Sequence, residues 1–339
     1  ISRYHSALLA IDGASLSLKF SNNKFLKNIE RHGSFFPSFS FPEKGRVLEY
    51  INRPNSISYL KELNFDLFHP TYYYPYFLKY LDKKPFVLTI HDMIHEIFGG
   101  SKKIIEHKKL LAERASGIIA VSENTKDDIL RFYKISEKRI KVIYHGTSFQ
   151  NGFKMLDLQL PSKFILYVGG REGYKNFDFF LKAIKPVFID SDLFLICAGG
   201  GSFSKKETAL FKELGLLKKI IYCSVNDLVL QTLYSMALFF VFPSKYEGFG
   251  IPIIESFSCG CPVVVSDIKV FREVAGDAAL FFNAEDSTNI LSVVKKAVLD
   301  DGLKEKLVCK GNLRAGSFSW ESTRQETISF YEKVCDDSL

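Results

Sequence analysis

Short apolar runs alternate with amphipathic, charge-rich stretches along the whole chain. In the first half, 65–69, 86–90, 117–121 and 140–143 read as strands. Between the last three lie the charged segments 102–115 and 124–133, whose apolar residues recur at helical spacing. The second half repeats the rhythm, with strands expected at 164–168, 193–198, 220–223, 238–242 and 262–266. Helices are expected there at 177–188, 205–214, 226–236 and 252–258. Strands that are apolar on both faces and alternate with helices imply parallel sheets covered by helices. The stretch 145–163 has no clean period and contains Gly146, Asn151, Gly152 and Pro161, so a seam is expected there. The expected fold class is α/β, as two Rossmann-like parallel-sheet domains, 1–150 and 151–318. Ligands of such sheets bind beyond the carboxyl ends of the strands, and a cleft between two such domains is the natural place for an active site.

Composition narrows this further. Of 339 residues, 47% are hydrophobic and 24% charged, which fits two globular domains and excludes disorder, collagen and coiled coil. No apolar run reaches the roughly 18 residues that a membrane span needs. All six cysteines lie at or beyond Cys197, with no CxxC or His/Cys pair at zinc spacing. A reduced, cytoplasmic compartment and no bound metal are therefore expected. The first 150 residues carry 23 Lys and Arg against 15 Asp and Glu, whereas the remainder carries 22 against 23. All seven histidines also lie in that basic first part. Such a balance suits an anionic partner or the face of a membrane, and equally a solvated lysine-rich surface. Nucleic acid is not expected, because the basic residues are scattered and no DNA- or RNA-binding motif is present.

The most informative stretch runs from Phe242 to Ser266 as strand, glycine-rich turn, short helix and strand. Gly248 and Gly250 let the backbone approach a ligand closely. Pro252 suits the first turn of a helix and Gly260 its end. Free N–H groups at that helix start can hold an anion such as a diphosphate. Glu247 sits in the turn and Glu255 inside the helix.

This segment resembles the retaining glycosyltransferases of family 4, whose hallmark is two glutamates separated by seven residues. The family string P-S-x-x-E-G-F-G-x-P-x-x-E-x-x-x-x-G-x-P-V-V-x-S is matched at every fixed position from Pro243 to Ser266. The resemblance implies the two-domain GT-B architecture, with 1–150 on the acceptor side and 151–318 binding a nucleotide sugar. It also implies that 319–339 forms a closing helix returning to the first domain. By the same resemblance Glu247 grips hydroxyls of the donor sugar and Glu255 the ribose, with backbone amides of Gly248, Phe249, Gly250 and Ile251 facing sugar and phosphates. The segment 167–176, Tyr-Val-Gly-Gly-Arg-Glu-Gly-Tyr-Lys-Asn, resembles the family's diphosphate loop. Lys175 matches its lysine. Arg171 stands one place beyond the family arginine, where this chain has Gly170. Gly200 and Val225 fall where relatives contact the nucleotide.

In the first domain, Leu88-Thr-Ile-His-Asp92 puts His91 at a strand's carboxyl end, where the family carries a histidine near the reacting carbon. His69 resembles an acceptor-side residue, and Ser122 and Thr125 suit helix capping as well as a site. The opening Ile1-Ser-Arg-Tyr4 starts in mid-pattern, and a strand and glycine turn are expected ahead of it. The implied activity is metal-independent, configuration-retaining transfer of a hexose to a hydroxyl acceptor. The donor is a nucleoside-diphosphate sugar, GDP- or UDP-linked, with no other cofactor. The basic domain with Tyr72, Tyr73, Tyr74, Phe35 and Phe36 suits a lipid-linked saccharide of polysaccharide assembly, met at the inner face of a membrane. The alternative is a non-catalytic paralogue that binds or scaffolds. A nicotinamide dehydrogenase is disfavoured, since no G-x-G-x-x-G follows a strand.

Overall fold

A computed structural model of the protein describes residues 2–21, 26, 44–150 and 152–337. The expectations placed on Ile1, Phe35, Phe36 and Asn151 lie outside these residues. The chain divides into two units, 1–145 with 320–339, and 146–319.

The first unit contains α1 (Ser2–Leu8), α2 (Lys44–Glu62), β1 (Val87–Ile90), α3 (Ile94–Ile97), α4 (Lys102–Arg114), β2 (Gly117–Ala120), α5 (Glu123–Phe132) and β3 (Ile140–Val142). Its strands pair in parallel in the order β1-β2-β3, with Val87 opposite Gly117 and Ile118 opposite Ile140. Every residue of β1 and β2 is buried, which is why both runs lack the alternation of a half-exposed strand. The expected strand at 65–69 is reduced to one bridge, Phe68 to Phe86. There the Phe68 N–H donates to Pro85 O and the Val87 N–H to Phe68 O, at 3.1 and 3.0 Å. Lengthening that ladder needs an N–H from residue 70 on one side and from residue 85 on the other. Both are proline, so pairing stops at a single rung. Ser122 caps α5 by accepting from the Thr125 N–H at 2.9 Å.

The second unit runs β4 (Lys163–Val168), α6 (Phe177–Ile184), β5 (Leu193–Ala198), α7 (Lys205–Glu213), β6 (Ile220–Cys223), α8 (Asp227–Met236), β7 (Phe239–Phe242), α9 (Ile251–Ser258), β8 (Val263–Ser266), α10 (Lys269–Ala275), β9 (Ala279–Phe282), α11 (Ser287–Leu299) and α12 (Asp301–Ala315). Its six strands are parallel in the order β6-β5-β4-β7-β8-β9. Ile165, Tyr167, Leu195, Cys197, Phe239 and Val241 form the buried centre, with Phe177, Phe180 and Phe211 from the helices packed on it. Burying each such side chain contributes about 1.5–3 kcal/mol. The helix expected over 177–188 tightens to 3-10 geometry at 185–188, because Pro186 has no N–H for an α-helical bond. Ser204, Asn226, Asp286 and Asp300 cap α7, α8, α11 and α12 through their side chains.

The last helix, α13 (Trp320–Asp336), returns to the first unit. Its Phe330 and Val334 pack against Val87, Ile119 and Ile143. It lies so close to β2 that a Cβ on Gly117 would meet Val334 Cγ2 at 2.7 Å.

Helix α9, which carries Glu255, is packed against α12 through a glycine. A Cβ on Gly311 would stand 2.6 Å from Phe257 Cδ1, and Phe257 is itself buried. Gly311→Ala should gain roughly 1 kcal/mol of helix propensity but lose about 1–3 kcal/mol to overpacking. A lowered thermal midpoint of the second unit is expected. A raised midpoint would show that Phe257 yields freely.

Candidate active site

Strand β4 is flanked by β5 on one edge and by β7 on the other, so the strand order of the second sheet reverses at β4. Loops that leave such a reversal point in opposite directions open a crevice at the carboxyl ends of the strands. The loop after β4 carries Gly169 to Lys175, and the loop after β7 carries Ser244 to Gly250. The Lys245 N–H donates to Tyr174 O at 2.8 Å and ties the two together. Lys175 reaches across from one loop to the other, its Nζ 2.6 Å from Glu247 Oε1. The two side chains keep 20% and 13% of their surface exposed, so the pair is shielded yet reachable. The Lys175 ammonium also lies 5.1 and 5.3 Å from the ring centres of Tyr174 and Phe242.

Gly250 takes φ +109°, a conformation that favours glycine, and turns the chain into α9. Pro252 stands in the first turn, where its missing N–H leaves no helical bond unmade. Gly248, Phe249 and Gly250 are buried and Ile251 half-buried, and the Phe249 ring leaves the turn to pack edge-on against Phe318, 5.7 Å between ring centres. Glu255 is only 5% exposed, and the Tyr234 hydroxyl donates to its carboxylate at 3.5 Å. Burial, with the Glu255 charge beside it, raises the Tyr234 phenol well above its ordinary range and keeps it a donor.

The glycine loops after β4 and β5 touch. A Cβ on Gly200 would fall 2.2 Å from Gly169 O, so that position admits no side chain without a backbone shift. Val225, after β6, comes within 3.8 Å of where a Cβ on Gly199 would stand. Gly170 is exposed, and its carbonyl accepts the Tyr167 hydroxyl at 2.5 Å.

Arg171 departs from the expectation of a diphosphate ligand. Its side chain is 3% exposed and turned into the protein. Nε pairs with Glu207, one terminal nitrogen donates to Gly199 O at 3.1 Å, and the other to Gly201 O at 2.9 Å and Ser202 O at 3.4 Å. The guanidinium also lies 5.0 Å from the Phe203 ring centre. The side chain lies at the base of the neighbouring loop. There it serves as a clamp. Burial would raise the Glu207 carboxyl, but the bonds from Arg171 and Ser204 prevail and hold it below the usual glutamate range.

In the first unit, His91 follows β1, as the strand-end argument requires. Nδ1 of His91 lies 3.4 Å from Nε2 of His145, and the rings stack at 24°. His91 Nε2 is buried with no hydrogen-bond partner among the described residues. Tyr4 makes edge contacts with His5, His69, His91 and His145. His69 is engaged on both nitrogens, with Thr89 Oγ1 at 2.9 Å and with the Tyr331 hydroxyl of α13. It therefore joins helix and strand rather than presenting a free ring edge. Burial, the largest cause for each, pushes these imidazoles down: His5 to about 4, His145 to about 3, His69 and His91 well below the ordinary value. All are neutral near pH 7.

Sequence reasoning did not single out Tyr234, Glu207 or His145. His145 was within reach, since it follows the run 140–143 as His91 follows 86–90. Tyr234 and Glu207 sit on helices at ordinary spacing, and only the packing shows what they touch.

Two Rossmann-type parallel sheets, one bearing a lysine and two glutamates at its switch point, define the GT-B class. The model of the family described as Glycosyltransferase Family 4 matches residues 17–150, and that described as Glycosyl transferases group 1 matches residues 149–314. The chain belongs to this family of GT-B glycosyltransferases. It is 33% identical over 190 residues to the O-antigen chain mannosyltransferase RfbU of Salmonella typhimurium, over 55% of this chain and 52% of that one. It is 29% identical to the N-acetylgalactosamine-N,N'-diacetylbacillosaminyl-diphospho-undecaprenol 4-alpha-N-acetylgalactosaminyltransferase of Campylobacter jejuni, over 65% of this chain and 61% of that one. The chain thus spans roughly half to three-fifths of these relatives' length. The sucrose-phosphate synthase of Thermosynechococcus elongatus shares the fold, with a TM-score of 0.72 at 20% identity over 88% of this chain and 81% of that one.

Two expectations follow. Arg171→Met should release the loop 199–203, since hydrogen bonds from a charged donor contribute about 1.5–3 kcal/mol each. Amide exchange there should rise roughly tenfold or more, and unchanged exchange would mean the clamp is ornamental. The histidine cluster makes the first unit acid-sensitive. Unfolded histidines take protons near 6.5, whereas folded His5 and His145 take them only near about 4 and about 3. The unfolded state therefore binds more protons in that window, and stability falls as pH drops below about 6.5. The urea midpoint should be lower at pH 5 than at pH 7, with a smaller drop in His145→Asn. Equal midpoints at both pH values would contradict it.

Proposed function

We propose that the protein transfers a hexose from a nucleoside-diphosphate donor to a hydroxyl of a lipid-linked saccharide, with retention of configuration, during polysaccharide assembly. The observation that carries this reading is the Lys175–Glu247 pair at the β4/β7 switch point, with Glu255 buried one turn into α9, the helix that follows the same loop. In this reading the donor's ribose hydroxyls bond the Glu255 carboxylate, and the sugar hydroxyls bond Glu247. Lys175 leaves Glu247 for the diphosphate, where the N–H groups opening α9 share the negative charge. The bond from the anomeric carbon to the phosphate oxygen breaks as the acceptor oxygen attacks the same face, and the departing phosphate takes the acceptor proton. Charge develops on that phosphate in the transition state, where Lys175 is worth most. No metal is required by this scheme. His91, neutral at the end of β1, belongs to the acceptor side in the first unit.

The named relatives support this class of chemistry. One is a mannosyltransferase of O-antigen chains, and the Campylobacter protein's name carries a diphospho-undecaprenol acceptor. The basic balance of the first 150 residues suits an anionic diphosphate lipid at a membrane face. Among the described residues no helix is long and apolar enough to cross a membrane. Contact with the bilayer in this reading is peripheral and made from the cytoplasmic side.

Calorimetric titration with GDP, UDP and ADP tests the donor site directly. One of these should bind, and Glu255→Ala should weaken it by about 2 kcal/mol or more, the scale of a charged hydrogen-bond acceptor lost from a buried site. Lys175→Ala should bind nucleotide less affected but lose roughly 10²–10³ in transfer rate. Failure of all three nucleotides to bind would favour a non-catalytic paralogue. A wild-type rate in Lys175→Ala would remove the diphosphate role.

A further inference from the structure

Lys108 is fully buried, at 0% exposure, in the middle of α4. Its ammonium donates to Glu96 Oε2 at 2.9 Å and to the backbone carbonyl of Asp92 at 3.0 Å, and lies 5.0 Å from the Tyr73 ring centre. Glu96 is equally enclosed, its side chain 2% exposed, and its other oxygen accepts the Tyr133 hydroxyl at 2.5 Å. Tyr73 is buried too. Its hydroxyl accepts the His91 N–H at 3.3 Å, while its carbonyl lies 3.2 Å from His107 Nδ1.

Placing an ammonium and a carboxylate out of water carries a large desolvation penalty, which mutual attraction only partly offsets. Apolar residues of the same volume would hold α4 to the sheet as well. They could not hold a carbonyl. The network does this at one place, the turn that leaves β1. His91 is gripped on its own N–H by Tyr73, and the carbonyl of the next residue is gripped by Lys108. The His91 ring packs edge-on to Tyr4 and His5 and stacks on His145, but it has few hydrogen bonds of its own: Nε2 has no partner among the described residues and Nδ1 meets His145 at 3.4 Å. The backbone on either side of it therefore shares with that packing in deciding where the ring points.

We infer that Lys108 is a positioning residue, which sets the orientation of the His91 imidazole through the Asp92 carbonyl and the Tyr73 ring. Its importance for turnover rests on the acceptor-side role of His91 given above. The positioning itself does not.

The test uses full-length protein with ¹⁵N-labelled histidine, whose ring signals are read by long-range proton–nitrogen correlation and assigned through His91→Asn. The double variant Lys108→Met with Glu96→Gln removes both buried charges. The amide that replaces the Glu96 carboxylate can still accept from Tyr133 through its carbonyl oxygen, so the fold is retained. The His91 signals of this variant should shift or broaden. In Glu96→Gln alone the amine still donates to Asp92, and His91 should keep its wild-type signals. Superimposable His91 signals in the folded double variant overturn the inference. So does an equal shift in Glu96→Gln alone, which would assign the effect to lost charge instead. If the double variant does not fold, Tyr73→Phe removes the acceptor of the His91 N–H and should move the same signals; unmoved signals overturn the inference.

Release of GDP from GDP-mannose, with water as acceptor, gives the second readout. The double variant should lose about 10- to 100-fold in kcat with KM little changed, the scale of a misplaced group. Unchanged turnover in His91→Ala would sink the role of His91 and leave the positioning by Lys108 standing on the spectra. Loss in His91→Ala with wild-type turnover in the double variant would sink the inference alone.

Discussion

Backbone hydrogen bonds hold β4 between β5 and β7, all three in parallel, and this pairing fixes what the second unit can do. It sets the carboxyl ends of three strands side by side, so their loops meet whatever their sequences. Gly200 then lets the loop after β5 close on the loop after β4 without a side chain in the way, and Gly250, at φ +109°, turns the loop after β7 into α9. Lys175 and Glu247 stand 72 positions apart in sequence and meet only because β4 and β7 are neighbours. Were β4 at the sheet edge, the same residues would have no common crevice.

Two ion pairs with the same chemistry do different work because of where they are buried. Arg171 and Glu207 are turned inward, and the guanidinium directs its donors to loop carbonyls. Lys175 and Glu247 face the switch point and stay partly open. An inward pair loses much if broken and gains nothing from a ligand. A half-open pair can exchange one partner for another of like charge at little cost. The first unit repeats the inward type in Lys108 and Glu96, where the result is again a backbone carbonyl held in place.

Much of this was legible in the sequence. Among the described residues, continuous apolar runs located every strand except β9, Ala279–Phe282, a four-residue run between Gly276-Asp277 and Asn283. Helices α2, α3 and α10 to α12 also went unread. In α12 the apolar residues are spread around the helix, with only Leu307 and Gly311 buried, so no stripe announces it. The run 65–69 had the composition of a strand, but Pro70 after it and Pro85 before its partner forbid a ladder, an effect of its partner's sequence as much as its own. Motif singled out Glu247, Glu255 and Lys175, and the structure brings Lys175 to Glu247 and buries Glu255; His91 stands after β1, as its place after an apolar run required. The inward turn of Arg171 was not legible, because a motif gives type and spacing but not the direction a side chain takes from a turning loop.

The contact between Gly200 and the Gly169 carbonyl has a consequence for how such proteins can be recombined. At Gly200 there is no room for a Cβ, which would stand 2.2 Å from Gly169 O where van der Waals contact needs well over ~3 Å. The loop after β5 cannot therefore take a bulkier residue at that position while the loop after β4 stays as it is. Segments 169–176 and 199–207 constitute one module, heritable or graftable only together, with Arg171 as the bolt that joins its halves.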